Sequence, residues 1–176
     1  MRSFDQLTVR PVTGDDAEAF FRLIDRDRTL FATYFPVTTG RTGDAHATVS
    51  YVRDLMAQAV AKETYCYLIL HEGSSEPVGA LFLKSFDRRV GKCEAAYLVS
   101  SAHQGKGIAS SAVAWAVDEA FRTHGMNKVL LRVDPDNGAS IRVAEKNGFL
   151  REGLLRQDFR TNDDRLLDVI VFGKLR

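Results

Sequence analysis

Glu94-Ala-Ala-Tyr-Leu-Val99, followed by His103-Gln-Gly-Lys-Gly-Ile-Ala109, is where strand and helix meet in this chain. The first segment is an apolar run of strand length. Beyond it, Ile108, Ala112, Trp115, Ala116, Glu119 and Ala120 recur at helical spacing through Arg122. The stretch therefore reads as strand, glycine-bearing turn, helix. Gly105 and Gly107 carry no Cβ, so the backbone can take left-handed dihedrals and an anion can approach closely. The free N–H groups of the helix's first turn, with the positive end of its dipole behind them, would face that anion. A phosphate cradle is the physical expectation, although Gly-x-Gly turns also join strands to helices with no ligand.

Three cradle patterns compete. A dinucleotide fingerprint needs a third glycine where Ser110 stands. A nucleoside-triphosphate loop needs Ser or Thr after Gly105-Lys106, and a glycine where Ser100 stands; the chain has Gly107 at the first place. The third pattern, Gln/Arg-x-x-Gly-x-Gly/Ala, is met by Gln104-Gly105-Lys106-Gly107-Ile108-Ala109.

The rest of the chain sets bounds. Its 176 residues suit one domain spanning 1–176 with a sizeable core. A net charge of +1 gives no bulk electrostatic case for direct nucleic-acid or membrane binding. Cys66 and Cys93 lie in apolar runs without metal-type spacing, so buried thiols are expected, and no metal site. No apolar signal core or transmembrane-length run is present, which makes a cytoplasmic location the default.

Outward from the centre, Leu7–Pro11 reads as a first strand. Ala17 to roughly Arg28 reads as a helix behind caps at Thr13–Asp16. Residues 29–43 read as an irregular connection whose aromatics Phe31, Tyr34 and Phe35 line a pocket or plug the core. A second helix, capped by Asp44, runs from about Ala45 to Lys62. Strands follow at 64–70, 78–86 and 93–99, then the central helix and a strand at Lys128–Val133. A short helix to Lys146, stopped by Asn147-Gly148, precedes strands at about 149–159 and 166–174. The layout is a mixed α/β sheet, with edge strands near the C-terminus that could pair across a homodimer.

Asn137-x-x-Ser140, with Gly148-Phe149 eleven residues after Asn137, is a second signature. An asparagine at a strand end offers donor and acceptor to an amide-rich ligand; equally, it can cap the helix, with Ser140 merely in its first turn.

Together the two motifs resemble the GNAT N-acetyltransferases, and within them the RimJ/RimL-type ribosomal-protein enzymes. The match rests on His103-Gln-Gly-Lys-Gly-Ile, Asn-Gly-Ala-Ser140, Lys146-Asn-Gly-Phe and Leu150-Arg-Glu-Gly153, the N-terminal half matching in layout only. The resemblance implies a single-domain, mostly antiparallel sheet of about seven strands with about four helices. It also implies acetyl-coenzyme A as co-substrate, held by Gln104, Gly105, Lys106, Gly107, Ile108 and Ala109, by the Tyr97-Leu98-Val99 strand, and by Asn137 and Ser140. The implied acceptor is an amine such as a ribosomal protein's N-terminus, and the protein would be a monomer or homodimer.

Transfer needs a base for the ammonium, a donor for the oxyanion and a donor for the departing thiolate. Glu94, at the start of the strand that feeds the cradle, is the first candidate base; Glu152, in the Leu-Arg-Glu-Gly segment, is the second. Each could instead be a solvated strand carboxylate. A backbone N–H within Tyr97–Val99 is the implied oxyanion donor. Many relatives carry a tyrosine seven residues beyond the asparagine; here Ala144 stands there, leaving Ser140 as the substitute. His71 and His103 read as structural or solvated. Rival readings are a small-molecule amine acceptor and a non-catalytic acyl-coenzyme A sensor. A polyamine would need carboxylates, which residues 29–43 lack, although Asp158, Asp163 and Asp164 could contribute.

Overall fold

The computed structural model describes the backbone of residues 2–4 and the whole of residues 7–176. The elements are β1 (Arg2–Phe4), β2 (Leu7–Pro11), α1 (Ala17–Arg26), α2 (Arg28–Ala32), α3 (Pro36–Arg41), α4 (Ala45–Val60), β3 (Tyr65–His71) and β4 (Pro77–Asp87). They continue with β5 (Lys92–Val99), α5 (Ile108–Arg122), β6 (Lys128–Val133), α6 (Gly138–Lys146), β7 (Leu150–Arg160) and β8 (Leu166–Leu175). Single 3₁₀ turns lie at Gly14–Asp16 and Ser101–His103.

All eight strands form one sheet in the order β1-β2-β3-β4-β5-β6-β8-β7. The expected seven strands are joined by the three-residue β1 at one edge. Every neighbouring pair is antiparallel except β5 and β6, whose parallel pairing requires the α5 crossover. That pair is brief. Its register runs Lys92↔Lys128, Cys93↔Val129 and Glu94↔Leu130, and stops. Beyond it β5 stays bonded to β4 as far as Val99, and β6 stays bonded to β8 as far as Val133. The two halves of the sheet therefore part at Glu94, with a helical layer on each face.

On one face α1 and α4 bury Phe20, Leu23, Ile24, Val52 and Leu55 against Leu68, Phe82 and Leu98. On the other, α5 buries Ala112, Val113 and Ala116 against Leu81, Leu83, Val129 and Leu131. The central strands are covered on both sides, which is why Cys66–Leu70 and Val78–Leu83 are continuous apolar runs. The two cysteines are free and buried in opposite layers. Burial pushes the Cys93 thiol up to about 12 and raises that of Cys66 further.

The caps behave as the side chains dictate. Asp44 Oδ1 accepts from Ala47 N at 2.7 Å, starting α4. Asp16 accepts from the backbone and hydroxyl of Thr13, both at 2.8 Å, and from Arg10. The first helix ends earlier than expected, at Arg26, because Asp27 leaves helical geometry.

Residues 29–43, expected as an irregular connection, hold two short helices instead. Pro36 opens α3 with its fixed φ, and the Arg28 guanidinium donates to the carbonyls of Thr39 (2.8 Å) and Thr42 (2.5 Å), folding the arm on itself. Five- and six-residue helices are too short to display a 3.6-residue period.

Candidate active site

The parting of β5 from β6 opens a cleft of about 940 Å³ that runs through the sheet. From Ala95 onward, alternate N–H and C=O groups of β5 face this opening with no strand partner on that side. Tyr97, Leu98 and Val99 line it.

The glycine turn closes one end. Gly105 has φ +75° and Gly107 has φ +82°, so both need a residue without a Cβ. A Cβ built on either would meet no heavy atom within 4 Å, so the space above the turn is open. Gly107 is the N-cap of α5 and no side chain caps the helix. The first-turn N–H groups of Ile108, Ala109 and Ser110 therefore stand at the cleft wall, where all three residues lie. The turn expected as an anion cradle is left-handed at both glycines, open above and followed by an uncapped helix start.

Three side chains brace that turn. Gln104 Nε2 donates to Val99 O at 3.0 Å, so this glutamine ties the turn to the end of β5. Asp27 accepts from Ser101 N (2.9 Å) and Ser101 Oγ (2.6 Å), latching the turn to the α1–α2 junction. Lys106 donates to Ala102 O at 2.9 Å. The residue lines a smaller adjoining recess with His71, Lys146 and Asn147. Lys106, expected to add charge to the cradle, thus bonds its own loop and lines the recess that Gly107, Ile108 and Ser110 share. His103, held by Ser100 at 3.1 Å, has its basicity lowered by burial and by Lys106.

The opposite wall comes from α6. Asn137 Oδ1 accepts from Ser140 N at 3.0 Å, so the asparagine does cap its helix, and both residues also line the cleft. Ser140 Oγ accepts from the Tyr97 hydroxyl at 3.1 Å, a contact made across the cleft between β5 and α6. Local sequence patterns carried no signal for this contact. Burial raises the Tyr97 phenol, and the bond to Ser140 lowers it in part.

The two candidate carboxylates part company. Glu94 stands where the strands separate, largely buried, lining the cleft and 3.2 Å from Lys84 Nζ. Glu152 does not line it. It sits on the bulge of β7 between Arg151 and Gly153, and its carboxylate bonds Lys128 Nζ at 2.7 Å. That carboxylate also lies over Gly173, where any Cβ would collide with it. β6 and β8 stand between β7 and β5, which separates the backbones by three strand spacings, roughly 14 Å. The second candidate base is therefore outside the site the strands create.

The α2–α3 arm forms the mouth. Phe31 is core, the Phe35 ring lies tilted against Phe82 at 6.1 Å, and both also line the cleft with Leu30, so plug and pocket are one surface. Tyr34 donates to Asp134 Oδ2 at 2.9 Å, clasping the arm to the end of β6. Burial first, and that carboxylate next, push the Tyr34 phenol up to about 12. Of the acidic residues considered for a polycation, Asp158 is paired with Arg132, Asp163 with Arg165 and Asp164 with Arg160. Among the described residues no group of His, Cys, Asp and Glu could hold a metal, and no helix is long and apolar enough to cross a membrane.

Comparison with known proteins agrees with this geometry. The family described as the acetyltransferase (GNAT) domain matches residues 6–150. The uncharacterized N-acetyltransferase p20 of Bacillus licheniformis is 28% identical over 173 residues, covering 98% of this chain and 94% of that protein. Spermidine N(1)-acetyltransferase of Escherichia coli strain K12 is 32% identical over 91 residues, 52% of this chain and 49% of that one. Among solved structures, the ribosomal-protein-S5-alanine acetyltransferase from Vibrio fischeri superposes with a TM-score of 0.90 at 20% identity, covering 99% of this chain and 95% of that one. RimJ of Mycobacterium smegmatis, in complex with CoA-disulfide, superposes with a TM-score of 0.86 at 25% identity, covering 96% and 81%.

Proposed function

The chain belongs to the GNAT acetyltransferase family, and on that premise we propose that it moves the acetyl group of acetyl-coenzyme A to a protein N-terminal α-amine of the ribosomal-protein type. The observation that carries the cofactor half is the open space above Gly105 and Gly107, faced by uncapped helix N–H groups. A pyrophosphate fits those donors and that empty volume. Asn137 and the free edge of β5 offer amide partners to the pantetheine arm, whose own amides need both donors and acceptors.

The reacting groups follow from what lines the rest of the cleft. Glu94 takes the first proton from the incoming ammonium. The amine then attacks the thioester carbonyl, and a backbone N–H of Tyr97–Val99 stabilises the oxyanion. The C–S bond breaks with its electron pair on sulfur. The Ser140 hydroxyl donates a hydrogen bond to that sulfur, and the second proton shed by the nitrogen balances the thiolate. Glu152 takes no part.

An N-terminal amine is favoured as acceptor by the apolar mouth of Leu30, Phe31 and Phe35 beside Glu94, which suits an amine borne on a peptide. It is also favoured by the pairing of Asp158, Asp163 and Asp164 with arginines, which gives those three carboxylates cationic partners already. A small-molecule amine is the second reading. It draws on the spermidine enzyme among the relatives and on Asp134, Asp136 and Asp168 in the cleft lining.

The test is thiol release from acetyl-coenzyme A in the presence of N-terminal ribosomal-protein peptides, spermidine, aminoglycosides and amino-acid analogues. Release with the peptides is expected. Release with spermidine alone would move the acceptor to the second reading. Calorimetric binding of acetyl-coenzyme A with no release from any amine would mark an acyl-coenzyme A sensor and overturn the transferase reading.

A further inference from the structure

We propose that Tyr97 is a positioning residue whose hydroxyl fixes the Ser140 hydroxyl as a hydrogen-bond donor into the cleft, where it meets the departing sulfur. This deepens the acetyl-transfer reading and rests on it.

A serine hydroxyl has one proton and two lone pairs, and its proton rotates to whichever acceptor is best. In the first turn of a helix the usual acceptors are backbone carbonyls three and four residues back. For Ser140 these belong to Asn137 and Asp136. The first already accepts from Ile141 N and the second from Gly138 N, both at 3.0 Å. On the other side of Ser140 Oγ stands the Tyr97 hydroxyl, donating at 3.1 Å. Neither carbonyl accepts from Ser140 Oγ as well, whose hydrogen bond is the one from the phenol, so one of its lone pairs is filled from β5. The Ser140 proton is thus uncommitted to a protein acceptor and free to turn into the cleft, which both residues line.

The scaffold holds this arrangement firmly. Tyr97 is on β5, bonded to β4 at Leu81, and its ring packs on the α5-face core. Ser140 is held by its backbone N–H on the Asn137 cap. The contact joins residues 43 apart in the chain, across the gap where β5 leaves β6. A phenylalanine would supply the same packing, so the hydroxyl is the part that packing leaves unexplained. Two hydroxyls in series also polarise one another, which makes the terminal one a better donor. Burial holds the phenol protonated. No proton leaves Tyr97: the thiolate's proton is still the second one shed by the amine, and Tyr97 only sets the direction of Ser140.

The experiment is a double-mutant cycle, Tyr97→Phe, Ser140→Ala and both together. For each we would measure kcat, the KM for acetyl-coenzyme A, calorimetric binding of acetyl-coenzyme A and Tm, with the best amine from the panel above. Loss of one hydrogen bond made to the transition state predicts a fall in kcat of about tenfold for Tyr97→Phe. The KM for acetyl-coenzyme A should stay within about twofold, and Tyr97→Phe should add nothing in the Ser140→Ala background. A structural role would lower Tm or weaken acetyl-coenzyme A binding and would multiply with Ser140→Ala; that result overturns the proposal. So does a kcat for Tyr97→Phe indistinguishable from wild type. Wild-type protein that releases no thiol with any amine overturns the underlying transfer reading, and that control is read separately from the cycle.

Discussion

Replacing Gly107 with alanine separates the cost of a backbone conformation from the cost of blocking a ligand. Gly107 has φ +82°, and an L-residue held there is strained by about 1–2 kcal/mol. For a chain of this size each kcal/mol lowers Tm by about 2–4 °C. The added methyl meets no protein atom within 4 Å, so strain is the whole stability term. Gly125, beyond the far end of α5, has φ +67° and the same open surroundings. Gly125→Ala should therefore lose the same few degrees. Only the Gly107 methyl stands in the cradle. Displacing one charge-assisted hydrogen bond to a phosphate costs about 1.5–3 kcal/mol, which raises Kd for acetyl-coenzyme A by roughly 10- to 150-fold. The assays are thermal unfolding for both variants and calorimetric titration with acetyl-coenzyme A. Matched Tm losses with weakened binding only at Gly107 are expected. Equal binding in the two variants would refute the reading of this turn as the ligand's seat.

Three further outcomes follow from the same geometry. Glu94→Gln should lower kcat by roughly 10²–10⁴-fold, less as pH rises and the free amine becomes common; Glu152→Gln, outside the cleft, should leave kcat within about twofold, and steady-state kinetics of both separates the two carboxylates. His124 is half-buried beside Tyr67, whose hydroxyl lies 3.1 Å from Nε2, with Glu119 at 3.9 Å and Arg88 nearby; burial and then Arg88 hold its pKa below the ordinary 6.5. The folded state then binds fewer protons than the unfolded chain, so its stability is fully present above pH 6.5 and is lost as pH falls through the depressed folded value; Tm measured from pH 7.5 to 5 should drop, and His124→Gln should flatten that slope. Cys66 and Cys93, with thiols raised by burial, should react with a disulfide reagent only after denaturant unfolds the chain, and rapid native-state labelling would contradict their placement.

Much of the fold was legible because it is encoded within a few residues of chain. The strand at Leu7–Pro11, the helix at Ile108–Arg122 and the strand at Lys128–Val133 run where periodicity put them. The left-handed backbone at Gly105 and Gly107 follows from residue type, and Gly148, φ +73°, ends α6 for the same reason. Asp44 caps α4 as a carboxylate three residues before an amide should. Where no period can build up, in the short helices α2 and α3, local reading saw only a connection.

What tertiary structure alone decided is which distant side chains share a space. Glu94 and Glu152 are equally plausible bases by residue type; strand order and a bulge put one at the parting of β5 and β6 and the other over Gly173. The Tyr97–Ser140, Asp27–Ser101 and Tyr34–Asp134 contacts join residues 43, 74 and 100 positions apart. Backbone preference is a matter of torsions and neighbours within a turn, so the sequence by itself determined the elements and the glycine turn. Side-chain contacts across a sheet depend on register and strand order, which are settled only when the whole core packs.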